Sequence, residues 1–175
     1  MRNKYTSVLI VLSICFLLSL GHAVSAQTED APPNIAAVLT AKLIGFATNI
    51  SSDGQEISIY VLRAPEVATE LEKAIGQPVG KAILKTIESG DFLPENHPSV
   101  LFVGEYSDLD SVKAYTHANH VLSITHKPDL VNQGITLGMG LGTDNKPKIL
   151  LNLNTTQAEK IDWNPAIMKV AVTIK

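Results

Sequence analysis

Ser99 to Gly104 reads SVLFVG, a stretch with no charged residue and four successive apolar side chains. A strand alternates its side chains between two faces, so an unbroken apolar run requires cover on both sides. That is the habit of a strand inside a parallel sheet, and parallel neighbours need crossover connections, usually helices. The flanking sequence supplies them. From Asn34 to about Ile50, Ile35, Val38, Leu39, Leu43 and Phe46 recur at three- and four-residue spacing, which predicts a helix with one buried face and Asn34 available as its cap. Ser51-Ser52-Asp53-Gly54 is a turn signal, and Glu56 to Leu62 (EISIYVL) is a strand by its β-branched and aromatic content. Pro65 opens a second helix with Val67, Leu71 and Ile75 inward and Glu66, Glu70 and Lys73 solvated; Gly76 ends it.

The alternation continues with a strand from Ala82 to Glu88, a loop from Gly90 to Pro98, a helix from Asp108 to Asn119 and a strand from His120 to Thr125. Ile135 to Gly142 and Lys148 to Asn154, joined by the turn at 143–147, read as an antiparallel hairpin, and a last helix is expected from Pro165 to Thr173. The fold expected is α/β: a three-layer sandwich whose largely parallel sheet is extended by a C-terminal antiparallel hairpin, with helices on both faces.

The N-terminus has a different character. Arg2 and Lys4 precede an apolar run from Val8 to about Leu20, and Val24-Ser25-Ala26 supplies the small residues of a cleavage site, so residues 1–26 are expected to be a cleavable secretory signal peptide. The run is roughly 13 residues where a membrane-spanning helix needs about 20. Residues 27–33 (QTEDAPP) read as a disordered leader, and 34–175 as a single domain. The one cysteine, Cys15, falls within the apolar run, so the exported domain relies on packing and hydrogen bonds, without disulfides or thiol chemistry. The formal net charge is −3 and grows more negative once Arg2 and Lys4 are removed. No basic stripe exists to displace counterions from phosphates, which argues against nucleic acid and against anionic membrane surfaces.

Candidate chemistry is sparse. Gly138-Met139-Gly140-Leu141-Gly142 imitates a phosphate loop, but it sits in a hairpin strand and opens no helix, so close backbone approach is the expected use of its glycines. His117, His120 and nearby His126 lack a cysteine or acidic ligand at fixed spacing and read as histidines near a helix end. Glu70 with Glu72, and Asp108 with Asp110, fall where helix faces and caps take charge. There is no G-x-S-x-G elbow and no H-E-x-x-H helix, and no catalytic residue, metal ligand or cofactor is assigned. Asn49 and Asn154 each begin a glycosylation sequon, relevant only in a glycosylating pathway.

From Asn34 to Lys175 the chain resembles the YfiR family of periplasmic regulators. The segments carrying the resemblance are AVLTAKLIGFATNI, EISIYVLRAPEVATELEKAIG and PSVLFVGE, followed in order by Leu122-Ser123-Ile124-Thr125, Gly134-Ile135-Thr136-Leu137 and Lys148 to Leu153 (KILLNL) before a final helix ending near Ala171. The resemblance implies a non-enzymatic, dimeric periplasmic protein that binds the outer portion of an inner-membrane diguanylate cyclase and represses it. It further implies an outer-membrane-linked antagonist and cyclic-di-GMP signalling as the output. The expected binding surface is the C-terminal segment, with Asn154, Asp162, Trp163 and Lys169 as contacts. The alternative expectation is a small-ligand module with an apolar crevice at the carboxyl ends of the parallel strands.

Overall fold

The computed structural model describes residues 28–175, and the expected signal peptide lies outside the described residues. Nine strands form one sheet in the order β3-β4-β2-β5-β6-β7-β8-β9, with β1 paired to β7 off this path. In chain order the elements are β1 (Glu29–Asp30), α1 (Pro33–Ile44), β2 (Glu56–Leu62), α2 (Pro65–Glu72), β3 (Pro78–Val79), β4 (Ala82–Gly90), β5 (Val100–Val103), α3 (Leu109–Asn119), β6 (Leu122–Thr125), α4 (Asp129–Asn132), β7 (Leu137–Leu141), β8 (Pro147–Asn152), α5 (Leu153–Ala158), a 3-10 helix (Pro165–Lys169) and β9 (Ala171–Ile174). Strands β4, β2, β5, β6 and β7 run parallel, and β8 turns back antiparallel against β7.

The apolar run of β5 explains the layers. All four of its residues are buried, Val100 and Phe102 in one core cluster and Leu101 and Val103 in another. The first cluster packs the sheet against α1 and α2 through Ala36, Ala37, Ile44, Val67 and Leu71. The second packs the opposite face against α3 through Val112, with Leu109, Tyr115 and Leu130 alongside. The mixed sheet with helices on both faces is the α/β sandwich read from the sequence.

Four local expectations are corrected. The segment 27–33 was expected to be disordered, yet Glu29 and Asp30 pair with Leu141 and Gly140, Ala31 is buried, and its amide donates to the His126 carbonyl at 3.0 Å. A short polar segment becomes ordered here because β7 runs past the end of β6 and leaves backbone groups to be paired. The expected last helix, Pro165 to Thr173, is a single 3-10 turn followed by β9, which pairs parallel with β8. Val170, Val172, Thr173 and Ile174 are β-branched, and the open sheet edge beside β8 takes the segment as a strand. The strand expected from Lys148 to Asn154 ends at Asn152, whose side chain caps α5 by accepting the Thr155 amide at 3.0 Å. The first helix ends at Ile44 rather than near Ile50, where Gly45 begins a turn whose close is braced by the Ser51 hydroxyl donating to Ala47 O at 2.9 Å.

Candidate functional site

The C-terminal segment is locked onto the turn after α1. Asn49 clamps it twice: its amide nitrogen donates to Lys160 O and its oxygen accepts the Asp162 amide, each at 3.0 Å. The Asp162 carbonyl accepts both the amide (2.7 Å) and the hydroxyl (3.0 Å) of Thr48, and the Asn164 amide donates to Phe46 O at 2.7 Å. Trp163 bridges to Ala47, lies half-buried against the first core cluster, and donates its indole N–H to Thr156 Oγ1 at 3.3 Å. Asn164 caps the 3-10 turn through the Ala166 amide.

Against this frame the four expected contact residues divide. Trp163 is a packing residue with a satisfied polar tip. Asp162 uses its backbone for the clamp and leaves its carboxylate in solvent; Asn154 in the first turn of α5 and Lys169 at the end of the 3-10 turn are exposed. No hydrogen bond or ion pair joins the four side chains to one another. Beside Lys169, Met168, Val170 and Val172 expose apolar surface next to the edge strand β9. The segment from Trp163 to Lys175 contains no acidic residue. Exposed Lys169 and apolar neighbours on an ordered backbone make a surface suited to a protein contact, because little ordering entropy remains to be lost on binding.

Sequence reasoning missed the most unusual group nearby. Glu159, at the end of α5, is fully buried. Its carboxylate accepts hydrogen bonds from the Ser123 hydroxyl (2.6 Å), the Ser123 amide (3.0 Å) and the Thr136 hydroxyl (2.7 Å), while Ser123 Oγ accepts the Thr136 amide at 2.9 Å. Burial pushes its carboxyl above the usual range, and the hydrogen bonds from Ser123, Thr136 and Thr116 offset part of that rise. Lys160 follows in the left-handed region at φ 55° and ends the helix, turning the chain toward Asn49. The signal available in the sequence was the polar alternation of Leu122-Ser123-Ile124-Thr125, which puts hydroxyls on one face of a fully buried strand.

The histidines do not converge. His120 is the left-handed cap of α3, His117 lies half-buried on that helix, and His126 is buried, stacked on Phe102 at 5.6 Å with 7° between the rings. Burial lowers the pKa of both His117 and His126. Among the described residues no group of three or more histidine, cysteine or acidic side chains is placed to hold a metal ion.

Gly138 and Gly140 serve close approach: a Cβ would collide with Val131 at the first position, and with the Glu29 carbonyl and Pro128 at the second. The crevice at the carboxyl ends of β2, β5 and β6 has a volume of about 350 Å³; Tyr106 and Leu130 give it apolar wall, and Arg63, Glu105 and Lys127 add charged groups to the crevice expected there. Lys127 spans Asp30 at 2.9 Å and Glu105 at 3.1 Å. Arg63 lies over the Tyr106 ring at 5.6 Å.

A family model described as YfiR/HmsC-like matches residues 34–172. None of the curated proteins compared with the chain matches it.

Proposed function

The chain belongs to the YfiR/HmsC-like family, and on that premise we propose that it is a non-enzymatic regulator that binds the outer portion of an inner-membrane diguanylate cyclase and holds it inactive. The family is one of periplasmic regulators of cyclic-di-GMP signalling. The observation that carries the proposal is the extent of the match, which spans nearly all of the described chain. Repression would work by linkage: a domain that binds the inactive cyclase state more tightly than the active one shifts the population toward it. An antagonist linked to the outer membrane would relieve repression by competing for the domain, and the working form is a homodimer exported by the signal at residues 1–26.

The surface proposed for the cyclase is the C-terminal segment, with Asn154, Asp162 and Lys169 as exposed contacts and Trp163 holding their frame. The test is binding of the mature chain, residues 27–175, to the detergent-solubilised cyclase of its own host, with cyclase activity followed in parallel. Saturable binding with loss of activity supports the proposal. A folded chain that neither binds nor inhibits refutes repression. Equal affinity in Asp162→Ala and Lys169→Ala variants would instead remove only the surface.

A small-ligand module is the second reading, favoured by the charged crevice at the carboxyl ends of β2, β5 and β6. A metabolite that raises the melting temperature in proportion to its concentration, and fails to do so in Arg63→Ala, would support it.

A further inference from the structure

The two edges of the sheet are built differently. At one end β3 is two residues long and begins with Pro78, and β4 beside it holds Lys85 and Glu88 in solvent. A short strand, a proline and charged side chains are the devices that keep an edge from pairing with another chain. At the other end β9 has neither proline nor charge within Ala171–Ile174, and among the described residues no strand pairs with its outer side. Parallel pairing with β8 uses the backbone groups of alternate residues, so those of the intervening residues point outward. Apolar surface accompanies them: Val172 is 59% exposed beside half-buried Leu150 of β8, and Val170 and Met168 are exposed at the entry to the strand.

The charge around this edge is largely of one sign. Between residues 146 and 175 stand Lys146, Lys148, Lys160, Lys169 and Lys175 against two acids, the buried Glu159 and the exposed Asp162, in a chain of net charge −3. Lys146 pairs with Asp144, whereas Lys169 and Lys175, both exposed, flank β9. These two lysines decide what can add there. A second copy pairing antiparallel along β9 would bring Lys169 toward Lys175, and parallel pairing would bring each lysine toward its own counterpart, so like charges oppose self-pairing. An extended segment with apolar and acidic side chains meets no such cost, and its backbone would bond the outward groups of β9.

We propose that β9 takes up, as an added strand, an extended apolar and acidic segment from the outer portion of the cyclase. This rests on the repression reading and deepens it. The C-terminal segment is recognised chiefly through its backbone edge, with Val172 against apolar side chains of the partner and Lys169 and Lys175 against its carboxylates.

Residue-resolved hydrogen exchange of the mature chain, alone and bound to the detergent-solubilised cyclase of its own host, tests it. In the complex alternate amides of β9 should gain about tenfold protection or more, while those bonded to β8 stay as they were. Val172→Glu should weaken binding about tenfold or more and Val172→Ile should leave it unchanged, with circular dichroism checking the fold of each. Lys169→Glu should weaken binding and reduce its salt dependence. A complex in which the β9 amides are unchanged, or wild-type affinity in Val172→Glu, overturns the edge and leaves repression standing. A folded wild type that does not bind the cyclase removes both. Protection of β9 that rises with the concentration of the chain alone means that a second copy occupies the edge, and overturns the proposal as well.

Discussion

Glu159 Oε1 accepts a 2.6 Å hydrogen bond from the hydroxyl of Ser123, 36 residues earlier in the chain. The pair ties the end of α5 to the centre of the sheet. With the Ser123 amide and the Thr136 hydroxyl also directed at it, the carboxylate collects donors from β6 and from the residue before β7. Glu159→Ala leaves these donors buried without an acceptor. The expected loss is about 2–4 kcal/mol of unfolding free energy, read as a lower urea midpoint with an unchanged slope.

The same carboxyl sets one arm of the pH response. Its folded pKa is raised by burial, so between the unfolded and folded values the native state binds more protons than the unfolded one. Its contribution is fully present below the ordinary glutamate value and is lost as pH rises through the folded value. Glu159→Gln keeps one acceptor oxygen and cannot ionise. The decline in stability above about pH 5 should therefore be shallower in this variant than in wild type, by urea titration at successive pH values.

His126 sets the other arm. Burial, then Lys127, lowers its folded pKa, while Asp30, Glu66 and Glu105 pull it upward. Below the ordinary histidine range the unfolded state takes up a proton that the native state resists, so stability is lost as pH falls through that range. His126→Leu removes the titrating ring and keeps an apolar neighbour for Phe102. Between about pH 7 and about pH 5 its urea midpoint should fall less than that of wild type.

Gly138 and Gly140 separate global from local stability. Gly138→Ala drives a methyl into Val131 beneath α4 and is expected to cost about 1–3 kcal/mol in urea unfolding. Gly140→Ala meets the Glu29 carbonyl and Pro128 and should detach β1 first. Hydrogen exchange at the Ala31 amide should accelerate at least tenfold while core amides in β5 keep their protection.

Asn49→Ala removes both clamps on the C-terminal segment. Each lost hydrogen bond is worth on the order of 1 kcal/mol. The exposure of Asn49 limits the global effect, so faster exchange at the Asp162 amide is the sharper readout. Cyclase binding should weaken alongside it if the clamp positions Asp162 and Lys169.

The layers of the molecule were legible in the sequence because they follow from side-chain periodicity, a property of neighbouring residues. The unbroken SVLFVG run required cover on two faces, EISIYVL formed the strand at the bounds its composition suggested, and Gly138 and Gly140 took a strand role in β7. Family resemblance, carried by the order of these same segments, was legible for the same reason. What depended on partners distant in the chain was not. Residues 170–174 fell largely within the expected last helix although four of the five are β-branched, and the open edge of β8 takes them as a strand. Glu159 carries no signal in the sequence, and its role emerges only when Ser123 and Thr136 are brought to it from the sheet. Asp30 and Ala31 read as a polar leader until Lys127, the His126 carbonyl and β7 supply their partners. Local pattern determined the layers and the buried faces of the central strands and helices; the tertiary structure decided the edge strands and which polar groups find partners, because the cost of burying a charge or an amide depends on what the rest of the chain places against it.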